Sequence, residues 1–124
     1  MNEVEKFHFN IMKDFVVSGK IGKLEKWFLE LDFDYDREKK LFDILDEFYN
    51  KSEFTYCDFE RKMENEFGCS YQHVKCLISS LYEDRRWTEV VQKFLEDMKK
   101  TVGNNFSVEY KWIAKELGLL DENP

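Results

Sequence analysis

Apolar residues recur along this chain at three- and four-residue intervals in seven separate runs, with polar turn-forming residues between them. That spacing is the period of one helix face. The first run, residues 2–17, carries Val4, Phe7, Ile11, Met12, Phe15 and Val16, and Ser18-Gly19-Lys20 ends it. Glycine suits such a stop because it enters the left-handed region without a Cβ clash. The second run, residues 21–31, turns Leu24, Trp27, Phe28 and Leu31 inward. The stretch ELDFDYDRE then breaks the period: Asp competes with the backbone for hydrogen bonds, and here three of them alternate with Phe33 and Tyr35.

A third helix is predicted over residues 36–50, with Leu41, Phe42, Leu45, Phe48 and Tyr49 inward. Thr55 is placed to cap a fourth, which carries Phe59, Met63 and Phe67 and stops at Gly68. Ser70 caps a fifth along Val74, Leu77, Ile78 and Leu81. Thr88 caps a sixth along Val91, Phe94, Leu95, Met98 and Val102, ending at Gly103. Ser107 caps the last, with Tyr110, Ile113, Ala114 and Leu117 inward and Gly118 as its stop. The one proline is Pro124, so no helix interior is interrupted. Although FTYCDF resembles a strand, no run sustains a two-residue alternation. The expected fold is all-α: a compact single-domain bundle of six to seven short helices over residues 1–124.

Charge changes the picture next. Twenty-six acids against nineteen bases give a formal charge of −7. Such a field repels phosphate backbones and attracts basic partners, so nucleic acid is a disfavoured ligand. The 36% of charged residues does not imply disorder, because aromatics make up 17% of the chain and can fill a core. Three cysteines, an odd number, point to a reducing compartment. The charged, amphipathic start MNEVEKFHF and the lack of any apolar stretch near ~20 residues lead us to expect a cytoplasmic protein with no membrane partner.

Candidate chemistry is sparse. Cys69, His73 and Cys76 share one helix face, and Cys57 could complete the Cys₃His set that zinc accepts. No close Cys-x-x-Cys pair accompanies them, and cysteines packed between helices explain them as well. Asp32, Asp34 and Asp36 match the first ligand positions of an EF-hand loop, but Arg37 stands where that loop needs Gly and Asp43 where it needs Glu. No metal or cofactor is therefore expected. His8 lies in the first apolar stripe, and His73 has no third group to orient it toward a cysteine. No catalytic residues are assigned, and the chain reads as a non-enzyme.

Two binding readings remain. The stretch TYCDFERKMENEFGCSYQHVKCLISSL, within residues 55–82, resembles a helix-turn-helix, with Gly68 at the turn and Tyr71, Gln72, Lys75 and Ser79 facing outward. It departs from that motif at Glu64, where a small residue is wanted, and the acids of its first helix would repel phosphates. The end WIAKELGLL echoes the first half of such a motif. The leading alternative is protein binding. ELDFDYDRE, with YNKSEFTYCD as its expected neighbour, mixes acids that steer a basic partner with aromatics that anchor it. Phe33 and Phe54 are expected to turn inward, which leaves Asp32, Asp34, Tyr35, Asp36 and Glu38 as the candidate contact residues.

In size, in acidity, in ELDFDYDRE and in the helical ending EYKWIAKELGLL, the chain resembles the small immunity proteins of bacterial toxin systems. That resemblance implies an inhibitor whose acidic face occludes the basic cleft of a partner, such as a cognate nuclease toxin. The alternative is a DNA-binding regulator.

Overall fold

The computed structural model describes residues 2–18 and 21–121, and among them it contains seven α-helices and no strand. These are α1 (Glu3–Ser18), α2 (Lys23–Glu30), α3 (Tyr35–Tyr49), α4 (Tyr56–Phe67), α5 (Tyr71–Glu83), α6 (Thr88–Val102) and α7 (Val108–Glu116). The all-α expectation holds. The predicted stop at Gly19-Lys20 lies outside the described residues.

Helix α5 is the hub. It packs against α2, α7, α6 and α4, while α6 also supports α3 and α1 rests on α3. One continuous apolar core draws buried residues from all seven helices. Its aromatics fall into two groups. Phe7, Trp27, Phe28, Phe33, Phe42 and Phe67 interlock ring to ring around α2, with Phe28 stacked on Phe33 at 5.4 Å. Phe48, Phe54, Phe59, Phe94 and Tyr110 form the second group, largely edge to face. Phe42 and Phe48 both stand on α3, so that helix joins the two.

Several predicted faces shift. Of the first helix's apolar set, Phe7 and Ile11 are buried, but Met12 and Phe15 are exposed. The set spans about half the helix circumference at 3.6 residues per turn, which leaves Met12 outside the buried arc. Phe15, one turn beyond Ile11, lies within that arc but lines an open cleft with Ile21 and Arg86. Tyr49 is exposed rather than inward, because its neighbour Phe48 occupies the buried direction on α3. Thr88 is not the cap of α6. Trp87 holds that position in the left-handed region, with φ 49° and no side-chain cap. Tertiary contacts fix this turn: the Trp87 ring stacks on Phe42 at 5.2 Å and its Nε1 donates to Asp46 at 3.0 Å. Thr55 and Ser70 cap α4 and α5 as expected, the latter in a capping box closed by His73. Ser107 sits at the N-cap of α7 without making a side-chain cap bond.

The caps that sequence patterns do not reveal come from distant helices. The N-cap of α2 is Gly22, which has no side chain to offer. Asp84, after α5, supplies the acceptor instead: its carboxylate takes the Lys23 N–H at 3.0 Å and the Leu24 N–H at 2.8 Å. A Cβ on Gly22 would run into the Glu25 carboxylate first and come within 3.2 Å of that of Asp84, so the glycine leaves room for both. Helix α6 does the same at the α3–α4 connection. Lys93 donates to the carbonyls of Tyr49 and Lys51, and Asp97 accepts the Tyr56 N–H at 2.9 Å. A cation thus meets a helix C-terminus and an anion a helix N-terminus, each the favourable sign for the helix dipole. Asp84→Ala is expected to cost about 1–3 kcal/mol, read as a lower urea midpoint with an unchanged denaturant slope.

Candidate protein-binding surface

The acidic stretch between α2 and α3 is an ordered turn built from two interlocking caps. Helix α2 ends in a Schellman motif: Phe33 N–H donates to the Phe28 carbonyl at 3.0 Å and Asp32 N–H to that of Leu29 at 3.3 Å. Asp32 occupies the left-handed position of this motif with φ 53°. Glycine is the usual occupant, although Asp tolerates that conformation better than most residues. The hydrophobic contact that accompanies the motif is the Phe33–Phe28 stack. Asp34 then caps α3 by accepting the Arg37 N–H at 2.9 Å, and the Arg37 guanidinium donates back to the Asp32 carbonyl at 3.3 Å.

The five candidate contact residues therefore separate. Asp32 and Asp36 are exposed. Tyr35 is 41% exposed, with its ring edge-on to Phe7 at 4.9 Å and its hydroxyl accepting from the Asn10 amide. Asp34 is engaged as the cap. Glu38 turns toward the interior of the fold, where burial pushes its carboxyl above the ordinary 4.5; the Glu25 carboxylate adds to that shift and Arg86 opposes it. Phe33 and Phe54 are buried, as expected.

The expected neighbour YNKSEFTYCD does not join this surface. It begins at Tyr49, the last residue of α3, about 16 Å along that helix from Glu38, where the acidic stretch ends. At that far end, Asp46 and Tyr49 line a shallow surface pocket with Arg86 and Trp87. The importance of the DRRW run, residues 84–87, was not seen in the sequence. Arg85 is left-handed with φ 57° at the end of α5, and Arg86 bridges to Glu25 at 3.3 Å while lying over Phe42. The one available signal was a dense polar run with no turn-forming Gly or Pro.

The other candidate sets are also placed. Among the described residues, no three His, Cys, Asp or Glu side chains converge to hold an ion. Cys69 is buried, Cys57 and Cys76 are exposed, and His73 Nδ1 is taken by the Ser70 N–H at 3.0 Å. Asp34 of the calcium-like triplet is spent on the α3 cap. In the helix-turn-helix-like segment, Gly68 makes the left-handed turn and Val74 and Leu77 are buried as expected. Tyr71 and Gln72 are exposed, and α7 lies against the Lys75 and Ser79 part of that face. The Glu109 carboxyl is drawn below its ordinary range first by its own backbone N–H in the first turn of α7, with Lys75 and a Gln72 hydrogen bond contributing. Ser79 Oγ donates to the Glu109 carbonyl at 3.5 Å. Three of the four supposed base-reading side chains thus face Glu109, on the most surrounded helix of the fold.

Comparisons with known proteins add no identification: no protein-family profile, no curated protein and no solved structure matches the chain. No helix among the described residues is long and apolar enough to cross a membrane.

Two measurements check this geometry. Because the folded state holds the Glu38 proton more tightly than the unfolded state, ionising Glu38 weakens the fold above that range, and the penalty disappears as pH falls below the unfolded value. Glu38→Gln should therefore raise the melting temperature at neutral pH and give no gain in acid. Among the cysteines, burial pushes the Cys69 thiol up to about 11, and the thiolate is the reactive form. A thiol reagent should label Cys57 first in the native protein, Cys76 more slowly because burial and the Glu30 and Glu109 carboxylates push its thiol up, and Cys69 only on unfolding.

Proposed function

We propose that this chain is a protein-binding inhibitor of the immunity type, which presents the α2–α3 turn to a basic partner and blocks that partner's substrate cleft. The observation that supports the reading is the double locking of the turn by the Schellman motif and the Asp34 cap. A surface already fixed before binding spends little conformational entropy on association. Asp32 and Asp36 supply the steering charge. Tyr35, its ring seated on Phe7, supplies a rigid amphipathic anchor of the sort that carries binding energy at interfaces. Asp34 supports the turn as its cap, and Glu38, half-buried beside Glu25 and Arg86, is left out of the proposed contact.

The division of roles makes a clean variant possible. Asp32→Gly keeps the left-handed position satisfied, and Asp36→Asn removes the second charge without disturbing the cap. The wild-type chain, used as bait in lysate of its source cells, should capture a basic protein at moderate salt. Association of the purified pair should be about tenfold slower for the double variant at low ionic strength, with the difference collapsing at high salt. Unchanged association would remove this turn from the interface.

A further inference from the structure

Helix α1 carries large apolar side chains on its outward face as well as its inward one. Phe9 is 57% exposed and Met12 48%, with Phe15 beside them nearer the core. Phe9 lies roughly 160° around the helix from both Phe7 and Ile11, at 3.6 residues per turn, so it cannot share their burial. Single exposed apolar residues are ordinary, but adjacent ones on successive turns make a patch that a partner can cover.

The charges around the patch specify what would cover it. Glu5, Phe9 and Lys13 lie four residues apart, stacked along one stripe of α1, and all three are exposed. Among the described residues, neither the Glu5 carboxylate nor the Lys13 ammonium belongs to an ion pair, whereas neighbouring Lys6 pairs with Glu3 at 3.4 Å. Read in the opposite direction, the order acid, aromatic, base becomes base, aromatic, acid. Two such stripes are therefore complementary when antiparallel, and like charges collide when they are parallel.

We infer that α1 pairs with α1 of a second copy of this chain, antiparallel about a two-fold axis at Phe9. The two Phe9 rings meet on the axis with Met12 alongside, and Glu5 of each copy faces Lys13 of the other. The contact is isologous, so the same patch serves both copies and the assembly closes at two. One helix pair is a small interface, and the net charge of −7 opposes the approach of two copies. Dimerisation is thus weak and reversible, and because salt screens both that repulsion and the exposed Glu5–Lys13 pairs, charge variants are compared at one fixed ionic strength. The inference is independent of the partner-binding reading, because it uses neither Asp32 nor Asp36.

A charge-swap series tests it. Sedimentation equilibrium of the full chain over a range of concentrations at moderate salt should show a monomer–dimer equilibrium for the wild type. Lys13→Glu and Glu5→Lys should each lose the dimer, since each places like charges across the axis. The double variant Glu5→Lys/Lys13→Glu should recover it, and Phe9→Ser should lose it whatever the charges. Helical content by circular dichroism is expected to stay constant through the series, as all three positions face solvent. A wild type that is monomeric at every concentration would overturn the inference and leave the patch for a different protein. Association that ignores the single charge reversals, or a swap that fails to restore what they remove, would overturn it too.

Discussion

The contact on which much of this fold depends is a single carboxylate. Helix α2 has only eight residues, well short of the length at which an isolated helix holds itself in water. It also begins on a glycine that offers no cap. Yet it contributes Leu24, Trp27 and Phe28 to the core and delivers the turn that follows. Asp84 resolves this by accepting two of the N–H groups that open the helix, from sixty residues further along the chain. Its own placement is secured by the Arg85–Trp87 turn, where two non-glycine residues accept left-handed backbone. Such strain persists only where surrounding contacts over-determine it, and Arg86 on Glu25 and Phe42, with Trp87 on Asp46, are those contacts.

The same logic of helices ending on one another's side chains recurs at α6. Lys93 and Asp97 stand one turn apart, and between them they complete the end of α3 and the start of α4. Burial of the two aromatic groups supplies the non-directional driving force, since each fully buried Phe is worth about 1.5–3 kcal/mol relative to exposure. The distant caps decide how the helices are arranged around that mass. Helix α3 has a foot in both groups, through Phe42 and Phe48, and so acts as the strut between them.

How much of this was legible in the sequence differs by kind of interaction. The seven helices were legible because each announces itself within about fifteen residues, by period and by local caps such as Thr55 and Ser70. The arc of α1 was misjudged at Met12 and Phe15, because periodicity shows which residues share a face but not whether a neighbour covers it. Thr88 was misread as a cap because the Trp87 conformation is imposed by Phe42 and Asp46, more than forty residues away. The acidic turn was visible as composition. Its division into exposed Asp32 and Asp36, capping Asp34 and inward Glu38 was not, since that depends on Arg37, Glu25 and Arg86 in three dimensions. The proposed union of ELDFDYDRE with YNKSEFTYCD failed for a plainer reason: a straight helix stands between them.

The capping of α2 by Asp84 also fixes an order of events during synthesis. A chain leaving the ribosome presents residues 23–30 long before residue 84 exists, and until then α2 has neither a cap nor the α5 surface it packs on. Closing a loop of that length must precede any reward from the contact. The segment that displays Asp32, Tyr35 and Asp36 can form its Asp34 cap early, but the α2 that holds its other end is secured only after α5 has been made and docked. A nascent or truncated chain lacking the DRRW turn would carry every acid of that surface and its local bonds, but not the capped, docked α2 from which the turn departs.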